Sequence, residues 1–225
     1  MIRLVLALLA VIVRPVAAQP ARTAQSDTGR FETEIRAFEA RDRQGAPPSG
    51  AVLFVGSSTI RMWCTLDRDF PELKTINRGF GGSEMSDLLF YAGRVVLPYR
   101  PRTIVLYEGD NDLAAGKTPA QVQDAFRRFT ALVRQRLPDA RLVVVSIKPS
   151  VAREKLLDET RAANALLVAD ARRDPQHVTY VDLFTPMLGR DGKPRRELFG
   201  GDGLHMNSAG YALWRATLQP VLDAR

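Results

Sequence analysis

Five short apolar runs, separated by segments with helical periodicity, constrain the fold of this 225-residue chain more than any other feature. The first run, at residues 51–55, has no polar interruption, as expected for a strand that is buried on both faces of a parallel sheet. Strands that alternate with helices require right-handed crossovers, which cover both faces of such a sheet. We therefore predict one three-layer α/β/α domain over residues 30–225, with a five-stranded parallel sheet in flavodoxin-like order. The predicted strands are residues 51–55, 73–77, 103–107, 141–147 and 177–182.

The segments between the strands carry signals for helices. Phe31, Ile35 and Phe38 recur at helical spacing, and Asn207 precedes the last apolar periodic segment as a candidate N-cap. Ser83 is predicted to cap another helix in the same way. The predicted helices cover residues 30–43, 83–96, 119–137, 153–173 and 207–222, with a short helical segment at 59–63.

Polar clusters follow three of the predicted strands, and a fourth cluster precedes the last helix. In open α/β sheets, ligands bind at the carboxyl ends of the strands. The loops after the first three strands open on that edge, and the loop before the last helix can return to it. We therefore expect one cleft that brings together four clusters: Gly56-Ser57-Ser58, residues 79–82, residues 109–112 and residues 202–205.

The side chains in these clusters suit nucleophilic catalysis. A serine hydroxyl becomes a strong nucleophile when a base removes its proton. His205 can be that base, and Asp202, three residues earlier, can hold the other ring nitrogen and stabilise the imidazolium. The backbone N–H groups of Ser58 and Gly82 and the side-chain amide of Asn111 can stabilise an oxyanion.

In this order the clusters resemble the blocks of the SGNH hydrolase family, also called the GDSL esterase/lipase family. Gly56-Ser57-Ser58 corresponds to its Gly-Asp-Ser block, and residues 77–82 correspond to its oxyanion-glycine block. Residues 109–112 correspond to Gly-x-Asn-Asp, and residues 202–205 correspond to Asp-x-x-His. The resemblance covers roughly residues 50–222.

The resemblance implies a serine esterase that works through an acyl-enzyme and needs no cofactor or metal. It implies Ser58 as nucleophile, with Asp202 and His205 completing a triad, and Ser58, Gly82 and Asn111 forming the oxyanion hole. The spacing favours Gly82 over Gly79 as the oxyanion glycine. The implied substrates are carboxylic esters with a small acyl group, which a carbohydrate or a lipid can carry.

Several alternatives remain open at this point. Ser57 replaces the aspartate of the family block and is a second candidate nucleophile, and Asp182 is a rival third member of the triad. The same cleft suits an acyltransferase, or a module that binds a phosphate or sugar without turnover. A metal-dependent phosphohydrolase would use the acids among residues 108–112. The other histidine, His177, starts a predicted strand, away from the expected edge.

The N-terminus has the form of a secretory signal peptide. A basic start at Arg3 precedes an apolar stretch at residues 4–13 that is too short to span a bilayer, and small residues lead to a predicted cleavage after Ala18. Residues 19–29 are predicted to be a flexible tether. We therefore expect a secreted or periplasmic protein with no membrane span after cleavage, whereas the oligomeric state stays open. The net charge of +7 is scattered, so no nucleic-acid partner is expected.

Overall fold

The computed structural model of this protein describes residues 29–224. The predicted signal peptide, and the predicted tether as far as residue 28, lie outside the described residues. Within residues 29–224, no helix combines the length and the apolar character needed to cross a bilayer.

One parallel sheet carries the fold, and its strand order is β2-β1-β3-β4-β5. This confirms the predicted fold class. The chain runs from β1 to β2 on one side and then crosses back to β3 on the other side of β1. The crevice of such a sheet opens at this reversal, between the carboxyl ends of β1 and β3. The strands are β1 (Val52–Gly56), β2 (Thr75–Gly79), β3 (Thr103–Tyr107), β4 (Arg141–Val145) and β5 (Val178–Val181).

Helices cover both faces of the sheet because alternate strand side chains point to opposite faces. Leu53 and Val55 of β1 belong to one buried core, whereas Val52 and Phe54 belong to the other. The described helices are α1 (Glu32–Gln44), α2 (Ser58–Arg61), α3 (Leu66–Asp69), α4 (Met85–Val95), α5 (Asp110–Ala114), α6 (Pro119–Arg136), α7 (Leu157–Ala171) and α8 (Ser208–Asp223). The first core packs against α1, α4, α6 and α7, and the second core packs against α2, α3 and α8.

The second strand lies two residues further along the chain than the sequence predicts. Residues 52–56 pair one by one with residues 75–79, so that Gly56 lies opposite Gly79. The apolar pattern ends earlier because Arg78 is part of this strand. Its side chain is nevertheless buried, since Asp42 and Tyr99 bind the guanidinium.

The predicted cap of α4 is wrong, whereas the predicted cap of α8 is confirmed. Glu84, not Ser83, precedes α4 and forms a capping box with Asp87. Ser83 is fully buried, and its hydroxyl contacts Glu108. Asn207 caps α8 as predicted, because its side-chain oxygen accepts the N–H groups of residues 209 and 210.

Candidate active site

The turn after β1 brings the candidate nucleophile to the crevice. Gly56 has a φ of 140°, and a Cβ there would lie 1.8 Å from the carbonyl oxygen of Tyr107 on β3. Only glycine fits that close approach. The N–H of Ser57 donates to the same carbonyl (3.3 Å), and Ser58 then begins α2. The turn is therefore fixed against β3, next to the strand-order reversal.

Ser58, His205 and Asp202 form a continuous chain of hydrogen bonds. The Oγ of Ser58 lies 3.0 Å from Nε2 of His205, and Nδ1 of His205 lies 2.6 Å from Oδ2 of Asp202. The structure thus brings together the three side chains of the predicted triad, although they are separated by up to 147 residues. Of the two candidate serines, Ser58 makes the contact with the imidazole.

Asp202 is held as a carboxylate. Its Oδ1 accepts the backbone N–H groups of Leu204 (2.9 Å) and His205 (3.0 Å). The hydrogen bond from the His205 ring, together with these two N–H groups, holds the pKa of Asp202 well below its usual range. An ionised carboxylate accepts the Nδ1 proton of His205, so Nε2 is left free to accept the proton of Ser58.

The three candidate oxyanion donors follow the neighbouring strands β1, β2 and β3. Asn111 Nδ2 donates one hydrogen to the carbonyl of Ser83 (2.9 Å), which ties it to the turn that carries Gly82. Gly82 has a φ of 79°, in the left-handed region that favours glycine. Within residues 29–224, the backbone N–H groups of Ser58 and Gly82 donate to no protein acceptor. By contrast, the N–H of Gly79 already donates to Asn77 Oδ1 (2.9 Å).

The family model described as the GDSL-like lipase/acylhydrolase family matches residues 55–213. This chain belongs to that family. It is therefore a GDSL-type hydrolase, as the four sequence blocks predicted. The match begins in β1 and ends in α8, so it includes each residue of the candidate triad and each candidate oxyanion donor.

Individual proteins resemble this GDSL-type hydrolase in sequence or in fold, at low sequence identity. Human platelet-activating factor acetylhydrolase IB subunit alpha1 is 27% identical over 198 residues, covering 85% of this chain and 82% of the relative. The crystal structure of a GDSL-like lipase from Bacteroides thetaiotaomicron has a TM-score of 0.71 at 20% identity, covering 88% of this chain and 97% of the other. A G-D-S-L family protein from Veillonella parvula has a TM-score of 0.63 at 16% identity, covering 77% of this chain and 98% of the other.

The sequence analysis did not predict the ionic cluster of Asp110, Lys148 and Arg153 that lies next to Asn111. Asp110 binds Lys148 (3.1 Å) and also pairs with Arg153, and both basic residues come from the segment after β4. Burial alone would raise the pKa of Asp110, but Lys148 and Arg153 lower it. Arg153 Nη2 also donates to Asn111 Oδ1 (2.9 Å). Because Oδ1 is held by a donor, the carboxamide of Asn111 has a fixed orientation, with Nδ2 toward Ser83.

Asp112 of the third block and Glu108, just before that block, serve internal contacts. Asp112 accepts the N–H of Met85 (3.0 Å) and binds Lys117 (2.8 Å), so it braces the start of α4. Glu108 shares a hydrogen bond with Ser83. Across residues 29–224, no three His, Cys, Asp or Glu side chains group in a way that could hold a metal ion.

Asp182, the rival third member of the triad, and His177, the other histidine, make other contacts. Asp182 Oδ1 accepts the N–H groups of Phe184 (2.9 Å) and Thr185 (3.0 Å), so it caps the turn after β5. His177 lies just before β5, and its Nδ1 contacts Asp174 (2.6 Å). That end of the strand is opposite to the edge that carries Ser58, as predicted.

Proposed function

We propose that this hydrolase is a serine esterase that cleaves carboxylic esters through an acyl-enzyme at Ser58. The observation that carries the proposal is the chain of contacts from Ser58 Oγ through His205 to the ionised Asp202. A hydroxyl, a base and an orienting carboxylate within hydrogen-bond reach are what acyl transfer requires.

The reaction follows from the positions of these groups. Ser58 Oγ attacks the carbonyl carbon while His205 Nε2 takes its proton, and Asp202 stabilises the imidazolium. The N–H groups of Ser58 and Gly82 and the free hydrogen of Asn111 Nδ2 stabilise the oxyanion. His205 then gives the proton to the leaving alcohol. Finally, a water molecule activated by His205 attacks the acyl-enzyme, which releases the acid and restores Ser58. No step needs a cofactor.

We propose a short acyl group, carried by a carbohydrate or a lipid alcohol. Relatives that are named acetylhydrolases support the short acyl group. A panel of p-nitrophenyl esters from acetate to decanoate, followed by acetylated sugars and short-chain phospholipids, tests both parts of the substrate. A maximum rate at acetate supports the proposal, and a maximum at decanoate contradicts it. Product analysis with added alcohols separates hydrolysis from acyl transfer.

The nucleophile is tested with two matched serine variants and a fluorophosphonate probe, which reacts with activated serines. We expect Ser58→Ala to lower kcat by on the order of 10⁴ or more and to abolish labelling. Ser57→Ala, one residue away, should keep both labelling and turnover. An active Ser58→Ala with an inactive Ser57→Ala would move the nucleophile to Ser57. If the wild-type protein is neither labelled nor active, the result favours a module that binds its ligand without turnover.

We also propose that the protein is exported and is cleaved after Ala18. The support comes from the basic, apolar and small-residue segments of the N-terminus. Expression of the full chain in a bacterial host, followed by fractionation and mass measurement, tests this. A periplasmic or secreted product that begins at Gln19 is expected, whereas a cytoplasmic product of full mass contradicts it.

A further inference from the structure

The N-terminal helix α1 and the two residues before it lie outside the segment that matches the family, yet they contact the turn that carries Gly82. The family match begins at residue 55, whereas α1 ends at Gln44. We call residues 80–83 the oxyanion turn. Three consecutive residues of this turn each meet a side chain from α1 or from the turn that precedes it.

An apolar contact and two polar contacts join α1 and the two residues before it to the oxyanion turn. Phe31 packs edge-on against Phe80 with ring centroids 5.0 Å apart, and both rings are buried. Glu34 Oε2 accepts the N–H of Gly81 (3.2 Å). Arg30 Nη2 donates to the carbonyl of Gly82. The aromatic pair brings α1 to the turn, and the polar side chains then bind its backbone.

These polar contacts hold the two peptide planes that flank the oxyanion donor. The N–H of Gly81 belongs to the peptide before the Gly81–Gly82 bond, and the carbonyl of Gly82 belongs to the peptide after it. The plane between them carries the N–H of Gly82. A glycine pair has no side chains that restrict this plane, so contacts to the two flanking peptides help to restrict it.

Orientation of this N–H matters because an oxyanion donor works only when it is fixed before the reaction. We propose that Arg30 and Glu34 are positioning residues, which aim the N–H of Gly82 at the oxyanion. This inference rests on the proposed esterase function. Neither residue belongs to the triad, and both act through the backbone of the oxyanion turn.

Stability and activity should respond differently to changes in these side chains. Arg30 is exposed, and the Glu34 side chain is 33% exposed. Contacts of this kind contribute little to the free energy of unfolding. Removal of one oxyanion donor, by contrast, lowers kcat by about 10²–10³-fold. A loosened donor should therefore lower kcat by a smaller factor, whereas Tm and KM change little.

The test compares four single variants and the Arg30→Ala/Glu34→Ala double variant by kcat, KM, Tm and the rate of fluorophosphonate labelling. We expect Arg30→Ala and Glu34→Ala each to lower kcat by about 5–50-fold, a fraction of the loss of a whole donor. Labelling should slow in parallel, because the phosphonyl oxygen occupies the oxyanion position. Glu34→Gln should recover most of the rate, since its amide oxygen still accepts the N–H of Gly81. The matched control is Arg36→Ala on the same helix, where the arginine side chain is 74% exposed and binds Glu32.

Two results would overturn the inference. The first is wild-type kcat in the Arg30→Ala/Glu34→Ala double variant. The second is a Glu34→Gln variant as slow as Glu34→Ala, because the charge and not the hydrogen bond to Gly81 would then matter. Failure of the esterase proposal has a different signature: the wild-type protein itself would neither turn over esters nor react with the probe.

Discussion

Replacement of Asp202 by Asn tests the proposed triad most directly, because the structure dictates which way the new amide must face. Oδ1 of Asp202 accepts two backbone N–H groups, and Oδ2 accepts the imidazole. In Asp202→Asn, the amide oxygen keeps the backbone partners, and the NH₂ group faces Nδ1 of His205. The imidazole must then carry its proton on Nε2, where it faces Ser58 and cannot act as a base.

The size of the effect follows from the alternative rotamer. If the amide flips, its NH₂ group faces the two backbone N–H groups, which loses two hydrogen bonds of about 1 kcal/mol each. A free-energy difference of about 2 kcal/mol limits the flipped rotamer, which is the productive one, to about one molecule in 30. Loss of the carboxylate charge beside the imidazolium lowers kcat further. In a Ser-His-Asp protease, the same replacement of the triad acid by an amide lowers kcat by about 10⁴. We therefore expect kcat to fall by on the order of 10²–10⁴.

The assay is steady-state hydrolysis of p-nitrophenyl acetate, with active sites counted by fluorophosphonate labelling. Asp182→Asn is the matched control, because Asp182 also accepts two backbone N–H groups but contacts no histidine. It should leave kcat unchanged. Asp202→Ala should be less impaired than Asp202→Asn, since it does not impose the wrong tautomer. A value of kcat within threefold of wild type for Asp202→Asn, or a larger loss in Asp182→Asn, would refute the reasoning.

Three further outcomes are expected. Asn111→Ala should lower kcat by about 10²–10³ with little change in KM, and an unchanged rate would remove Asn111 from the oxyanion hole. Gly56→Ala should destabilise the fold and lower Tm, because its Cβ would overlap the carbonyl of Tyr107; a wild-type Tm would contradict this. Burial, followed by the charge of Asp112, raises the pKa of Glu108 well above its ordinary value. The folded state therefore keeps a proton that the unfolded state releases above about pH 4.3, so this group's contribution to stability falls as pH rises. In denaturant unfolding, the unfolding free energy of Glu108→Gln minus that of wild type should therefore increase from pH 5 to pH 8. An equal difference at both pH values would refute this.

The sequence predicted the sheet and the proximity of the candidate triad side chains, because both depend on short-range signals combined with one rule of topology. The apolar run at residues 51–55 marks a buried strand, and the glycines and polar residues that follow mark a turn. Parallel strands place such turns on a single edge, so Ser58 and Asn111 were expected to meet. Asp202 and His205 are three residues apart, and this spacing predicted their mutual contact.

Contacts between distant residues with no shared motif were not predictable in this way. Lys148 and Arg153 bind Asp110, but 38 residues separate Lys148 from that aspartate. Ser83 looked like a helix cap because it precedes an apolar helical segment, yet Glu84 has the partner in Asp87 that a capping box needs. The contacts between α1 and the oxyanion turn depend on how α1 packs, and no motif in the local sequence predicts them.

Glu108 and Asp110, which are two residues apart, lie in environments that shift their pKa values in opposite directions, and Asp110 helps to orient Asn111. Glu108 faces a buried region with Ser83 as its hydrogen-bond partner, so burial favours its neutral form. A neutral carboxyl can donate to the Ser83 hydroxyl, which leaves that hydroxyl free to donate to Phe80 O (3.1 Å) and close the oxyanion turn. Asp110 is equally buried, but Lys148 and Arg153 keep it ionised. The ionised Asp110 holds Arg153 in place, and Arg153 in turn fixes the carboxamide of Asn111. Glu108 thus contacts the oxyanion turn through Ser83, and Asp110 contacts Asn111 through Arg153.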